Sequence, residues 1–334
     1  MRHIILGGDG FLGTELCQKL LARQASVIVA DIKQSADSPI YQNPLVQFVP
    51  IDVRLPQTLA RLKVQPEDHV YHFAARLLMP ILPRGARRDH FWSVLYQGTQ
   101  NVLAYLDSRG CHRLVYFTTD MVYGHTRIHP RPESHPREPL GPYGEAKYHT
   151  ELLCEQRRKA GWRITLFRPR LIIGPGRLGI LERLFRLVEL NLPVPTIGNG
   201  RNHYQFISVS DCADACLAAV DNQYPNRAFN LGSAEPPTVN ALLRTLIDHA
   251  GSRSFLLPTP ARLVKGVLAG LDRLGRPLMD PEQYLIADET CVLDICAAQK
   301  ELGWAPTQDD AQMLIAAFDS YRAARRQALD LKQA

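Results

Sequence analysis

The chain opens with a short apolar run, Met1-Arg-His-Ile-Ile-Leu6, that feeds directly into Gly7-Gly8-Asp9-Gly10-Phe11-Leu12-Gly13. Apolar residues at helical spacing then continue from Thr14 to Arg23. Strand, glycine turn and helix in that order are the context a dinucleotide fingerprint requires. Glycines allow the tight turn and bring backbone N–H groups close to a pyrophosphate at a helix N-terminus. A second run, Ser26–Ala30, ends at Asp31. A carboxylate there accepts hydrogen bonds from the adenosine ribose hydroxyls and repels a 2′-phosphate, so NAD is expected in preference to NADP.

The same alternation continues through the first half. Candidate strands are His3–Leu6, Ser26–Ala30, Val46–Pro50, His69–His72, Leu114–Thr118 and Arg163–Arg168. Between them lie the helical patterns Leu12–Arg23, Leu55–Leu62, Phe91–Arg109 and Tyr143–Ala160. This predicts an α/β protein, a doubly wound parallel sheet of the Rossmann type with helices on both faces. Ligands in such sheets bind at the carboxyl ends of the strands, where Gly7–Gly13, Asp31, Asp52, Phe73–Ala75 and Thr118–Thr119 all fall.

After Arg168-Pro169 the pattern changes to Pro- and Gly-punctuated segments, read as a smaller C-terminal α/β substrate-binding lobe. Residues 1–170 are assigned to the NAD-binding domain, with returns near 202–232, and residues 171–201 and 233–334 to the lobe. Asn202–Val209 followed by the helix Ser210–Val220 is one expected return, and Ala228–Leu231 another. Residues 261–274 carry an apolar stripe, Leu263, Val264, Val267, Leu268, Leu271 and Leu274, expected to pack on the lobe as a helix.

The 334 residues suit one large domain with a lobe, and 46% hydrophobic and 22% charged residues are ordinary for a globular protein. The net charge of +6 comes from 39 basic residues interspersed with 33 acidic ones, and no nucleic-acid recognition motif accompanies them. Seven scattered cysteines without a Cys-x-x-Cys read as small buried residues in a reducing compartment, and no metal site is expected. Entry into a strand at the first residues and the lack of a long apolar run predict no signal peptide and no membrane span, hence a cytoplasmic protein.

Tyr143-Gly-Glu-Ala-Lys147 carries the candidate chemistry. Four residues apart on a helix, the two side chains share one face. A phenol titrates near pH ~10, and a neighbouring ammonium favours the phenolate. The pair is therefore suited to exchanging a proton with a substrate alcohol near neutral pH.

With these residues in order, the chain resembles the extended short-chain dehydrogenase/reductases, the NAD-dependent epimerase/dehydratase group. Gly7-x-x-Gly10-Phe11-Leu12-Gly13 resembles the family's cofactor loop, Asp31 its ribose acid and Asp52-Val53 its adenine-contacting pair. His72-Phe73-Ala74-Ala75 is similar to the segment that lines the cofactor. Phe117-Thr118-Thr119-Asp120-Met121-Val122-Tyr123-Gly124 resembles the Ser/Thr-bearing loop. Arg168-Pro169 through Gly174-Pro175-Gly176, Phe229–Ser233 and Leu302-Gly-Trp304-x-Pro306 complete the likeness. The resemblance implies that Tyr143 is the base, that Lys147 holds it as a phenolate, and that Thr119 bonds the same substrate oxygen. Hydride would pass to the nicotinamide.

Departures from the family pattern bear on the substrate. Met121 follows Asp120 where dehydratases carry Asp-Glu, which argues against 4,6-dehydration. Leu171 stands where nucleotide-sugar enzymes place an Asn, and Tyr204 where they place a diphosphate-binding Arg. Arg201 or Arg177 are the candidates to replace that charge. Leu95-Tyr-Gln-Gly98-Thr99 lacks the family's Asn. The favoured reading is a nucleotide-sugar epimerase. The alternative is an NAD(H)-dependent hydroxysteroid or lipid-type alcohol dehydrogenase or ketoreductase, and a third is a non-catalytic NAD-binding subunit. The expected partner is a small-molecule substrate, a nucleotide sugar or an apolar secondary alcohol or ketone. The resemblance also implies a homodimer through the helices Phe91–Arg109 and Tyr143–Ala160.

Overall fold

Short apolar runs too brief to form helices pair side by side into one parallel sheet. The computed structural model describes residues 1–176, 179 and 181–333. The strands are β1 (His3–Leu6), β2 (Val27–Asp31), β3 (Val46–Pro50), β4 (His69–His72), β5 (Arg113–Phe117), β6 (Arg163–Pro169), β7 (Leu171–Ile173), β8 (Val194–Ile197), β9 (Phe206–Ser208), β10 (Ala228–Leu231) and β11 (Leu256–Thr259). Seven of them form the central sheet in the order β10-β6-β5-β4-β1-β2-β3, all parallel. The order reverses between β1 and β4, so a crevice opens beyond their carboxyl ends. Leu6 pairs with Ala30 on one side and His72 on the other, which sets Gly7, Asp31 and Phe73 along one edge of that crevice.

Both faces of the sheet are covered. On one, Leu16, Cys17 and Leu20 of the helix Phe11–Ala22 pack with Cys212 and Cys216 of the helix Val209–Asp221. On the other, Val102, Leu103 and Leu106 of the helix Thr99–Ser108 meet Cys154 and Trp162. A separate core built from Phe185, Val194, Leu246 and Phe318 holds the C-terminal part. There β7 pairs with β9 and β8 with β11, both parallel. Every cysteine is free, and all but Cys296 are buried. No helix among the described residues is long and apolar enough to cross a membrane.

Several expectations are corrected. The single helix Phe91–Arg109 is instead a helix Arg84–Trp92, a π-helical turn Ser93–Gly98 and a helix Thr99–Ser108. A Cβ at Gly98 would lie 2.7 Å from Val53 Cγ2, and the Leu95 carbonyl accepts from both Thr99 and Thr150 hydroxyls. Such tertiary fits are invisible to periodicity, and π turns of this kind are frequent at functional sites. The stretch before Val209 adds no strand to the main sheet, since β9 pairs with β7, but its Ile207 packs into that sheet's core. The apolar stripe does form a helix, Ala261–Arg273, yet Leu263 and Val267 point outward, 63% and 54% exposed. Finally, Ile295, Ala298, Leu302 and Trp304 pack into the core of the main sheet and not into that of the C-terminal part.

Candidate active site

The glycine loop is shaped by contacts that only hydrogen side chains permit. Gly7 has φ +77°, and a Cβ on it would sit 2.6 Å from Ala74 N. A Cβ on Gly13 would sit 2.5 Å from Gly7 O. Loop and Phe73–Ala75 are thus pressed together. Gly174 joins them, because its Cβ would come within 3.0 Å of the Phe11 ring. Gly10 occupies the N-cap of the helix Phe11–Ala22 and offers no side-chain acceptor, so no side chain competes for an anion at that helix start.

At the end of β2, Asp31 accepts the N–H of Asp9 at 3.1 Å and of Ile32 at 2.7 Å. Burial pushes its carboxyl above the ordinary value while both N–H donors oppose the rise. Asp9 in turn accepts from the hydroxyls of Ser35 and Tyr41. Two carboxylates at this point disfavour a 2′-phosphate. Asp52 is engaged by the Arg54 guanidinium at 2.5 to 3.0 Å, and the Val53 carbonyl accepts from Asn101. His72 turns into the core instead, bonded to Thr99 and pushed down to about 3 by burial.

Across the crevice, Thr118 N donates to Phe167 O, while the buried Thr118 hydroxyl lacks a partner among the described residues. Thr119 Oγ1 accepts the Met121 N–H at 3.2 Å, closing a tight turn over Asp120–Val122. That turn abuts the helix Pro142–Lys159: a Cβ on Gly144 would fall 2.8 Å from Met121 O. Half-buried Tyr143 lies in the first turn of this helix with its ring edge-on to Phe91, centroids 5.4 Å apart. One turn on, buried Lys147 donates to Phe117 O at 2.7 Å and Tyr116 Oη at 3.2 Å. Burial pushes its ammonium down to about 7, with Glu151 opposing.

The loop, Asp31 and the unpartnered Thr118 hydroxyl fit a dinucleotide. Gly7, Gly10, Phe11, Leu12 and Gly13 would hold its pyrophosphate, Asp31 its adenosine ribose, and Phe73–Ala75, Thr118 and Pro169 would border its nicotinamide half.

A family model described as "NAD dependent epimerase/dehydratase family" matches residues 3–232. The chain belongs to that family. Membership makes it an NAD-dependent enzyme of the extended short-chain dehydrogenase/reductase type. It is 33% identical over 325 residues to an uncharacterized protein, y4nG, of Sinorhizobium fredii, covering 96% of this chain and 79% of the relative. It is 26% identical over 257 residues to a putative UDP-glucose 4-epimerase of Methanocaldococcus jannaschii, covering 75% and 83%. Among solved structures it is similar to a dTDP-glucose 4,6-dehydratase double mutant of Streptomyces venezuelae with NAD bound. The identity is 25% and the TM-score 0.76, with 98% of each chain covered.

The expected substrate residues are placed unevenly. Asp120 is buried and paired with Arg170 at 2.7 Å. The Tyr204 ring lies 4.9 Å from the Arg170 guanidinium, and Leu171 opens β7. Arg177 lies outside the described residues. Arg201 is exposed, with its N–H on Asn199. Sequence reasoning missed Arg170, Arg131 and Glu282. Arg170 sat inside a quoted motif, but nothing local marks a buried arginine. A second cleft, lined by His69, Arg113, Arg163 and Tyr224, opens at the amino ends of the strands, and none of the expected cofactor residues lines it.

Proposed function

We propose that the protein is a nucleotide-sugar epimerase that oxidises a secondary alcohol with Tyr143 as its base, and that it is not a 4,6-dehydratase. The observation that carries this is the fixed position of Lys147. Its ammonium is anchored at the end of β5, immediately before Thr118-Thr119, and one helical turn from Tyr143. A phenol so flanked is held as the phenolate, which takes the alcohol proton and becomes the neutral phenol, and the Thr119 hydroxyl, whose oxygen is already held by the Met121 N–H, donates to the same substrate oxygen. NAD supplies the hydride acceptor when bound. The name of the Methanocaldococcus relative and that of the Streptomyces structure support a nucleotide-sugar substrate. Met121 offers no acid or base for elimination of water.

A second reading has its own support. Leu171 and Tyr204 give no charged grip on a diphosphate, which favours a dehydrogenase or ketoreductase for an apolar secondary alcohol. Cofactor recovered by denaturing the purified protein separates the two. Near one NAD per chain supports an enzyme that keeps its cofactor, and an empty protein that takes up NADH reversibly supports the second reading. Stabilisation by UDP-, GDP-, CDP- or dTDP-sugars is expected to reach ~2.7 kcal/mol at 100 times the dissociation constant. No shift with any of them would count against the first reading.

We also propose a homodimer. Arg88 lies 4.3 Å over Trp92, whose ring meets Tyr96 and His149 at 5.1 Å each, so aromatic side chains gather where the two helices face outward. A monomer mass in light scattering would refute it.

A further inference from the structure

Two buried guanidinium groups share one carboxylate beside Thr119. Arg170 Nη1 donates to Asp120 Oδ2 at 2.7 Å, and Arg131 Nη1 lies 3.8 Å from the same oxygen. Arg131 is 0% exposed, Asp120 3% and Arg170 5%. Neither arginine makes another ion pair among the described residues. The other donors of Arg131 go to the Thr126 hydroxyl, Gly124 O and Cys291 Sγ, none of them a carboxylate. Glu289, the carboxylate on the neighbouring segment, is engaged by His125 and the Thr126 N–H. The Tyr204 phenol stays neutral because burial raises its pKa. One positive charge is left over, and Arg131 Nη1 and Arg170 Nε have no hydrogen-bond acceptor among the described residues. A buried charge without a partner is costly, so a group that brings the missing negative charge is strongly favoured there.

The position says which part of a ligand that is. Asp120 follows Thr119 directly, and its turn packs on the first turn of the Tyr143 helix through Met121 O and Gly144. Arg170 leaves the carboxyl end of β6 immediately after Pro169. The surplus charge therefore lies beside the reacting alcohol, and a single carboxylate balances it.

We propose that Arg170 and Arg131, held by Asp120, form a subsite for a carboxylate carried by the substrate next to its reacting carbon. The substrate class is then a hydroxy acid, of the uronic-acid or 3-hydroxy-acid type. This rests on the reading of Thr119 and Tyr143 as the alcohol site. A guanidinium fork suits a carboxylate bidentately, and Asp120 occupies one donor of Arg170, so a substrate carboxylate competes with it for the pair.

Calorimetry on the NAD-loaded full chain tests it with two matched pairs, UDP-glucuronate against UDP-glucose and 3-hydroxydecanoate against its methyl ester. In at least one pair the acid is expected to bind about tenfold or more tighter. Arg170→Gln is expected to bring that ratio towards unity, whereas a merely structural ion cluster would lose melting temperature and keep the ratio. Should Arg170→Gln fail to fold, Asp120→Asn removes the competing carboxylate and is expected to strengthen acid binding. Equal binding within both pairs, refusal of both acids, or an Asp120→Asn variant with unchanged or weaker acid binding would overturn the subsite. So would an equal loss of UDP, UDP-glucose and UDP-glucuronate in Arg170→Gln, which would put a phosphate there. Tyr143→Phe on whichever compound is turned over separates this from the reading beneath it. Full turnover in that variant refutes Tyr143 as base, whatever the acid preference.

Discussion

The carboxyl group of Glu282 accepts the backbone N–H of Tyr143 at 2.8 Å. Its second oxygen accepts the N–H of Gly144 at the same distance. Glu282 lies on the short helix Pro281–Tyr284, so a remote segment caps the helix that carries Tyr143 and Lys147. That helix has Gly141 at its own N-cap and no local side-chain cap. Glycine is needed at both 141 and 144, because a Cβ would fall 2.7 or 2.8 Å from Glu282 atoms. Two N–H groups that the first turn leaves without an intrahelical partner are satisfied there, and the contact also ties the position of Tyr143 to the C-terminal part of the chain.

Glu282 should make stability depend on pH. Burial, and then Asp280, push its carboxyl up from 4.5 to about 8. Between those values the native protein holds a proton that the unfolded chain has released, so stability falls as pH rises through that window. Glu282→Gln is expected to flatten the change in melting temperature between pH 5 and pH 8, measured by thermal melts. A variant with the wild-type slope would exclude Glu282 as its source.

Removing the phenol hydroxyl isolates the proton transfer. Tyr143→Phe keeps the ring against Phe91 and is expected to lower turnover by ~10² to 10⁴. The rate of NADH formation, or of epimer exchange, reads it. Near-normal turnover would assign the base elsewhere.

The cofactor loop admits no added methyl at its last glycine. Gly13→Ala would place Cβ 2.5 Å from both Gly7 O and Gly8 Cα. Loss of NAD from the purified protein is expected, with the fold retained by circular dichroism. Full NAD occupancy in the variant would mean that the loop can shift to accommodate it.

Cofactor choice should follow Asp31. Replacing it with serine removes one of the two carboxylates at the end of β2 and is expected to improve NADP binding relative to NAD by about 10- to 100-fold. Titration of both cofactors checks this. An unchanged ratio would leave Asp9 as the discriminating charge.

Arg87 ties the helix Arg84–Trp92 to the segment that carries Glu282. It pairs with Asp272 at 2.5 Å and Asp280 at 3.5 Å, all three buried. Arg87→Met leaves two carboxylates without a cation and is expected to cost roughly 3–5 kcal/mol in urea unfolding. A loss below 1 kcal/mol would show that the carboxylates find water or protons instead.

Much of the fold was legible because its signals are local. The strands β1, β3 and β4 begin and end as the apolar runs predict, and β2, β5 and β6 differ by a residue or so at their ends. Short apolar runs, glycines and helical spacing each act within one element, where chain geometry is nearly independent of the rest. The π turn at Ser93–Gly98 escaped because helical periodicity looks alike on both sides of it. The outward face of Ala261–Arg273 escaped because an apolar stripe does not say what covers it.

The strand–glycine–helix opening, the acid after β2 and the Tyr143–Lys147 spacing were determined by sequence alone, since each lies within one element or one turn. The tertiary structure alone decided which buried polar and charged groups meet. Glu282 reaches Tyr143 across 139 positions, Arg170 reaches Asp120 across 50, and Arg87 reaches Asp272 across 185. A buried ion pair leaves no period and no neighbour in the chain. It exists only because folding removes water from both partners at once, and each charge must then find the other.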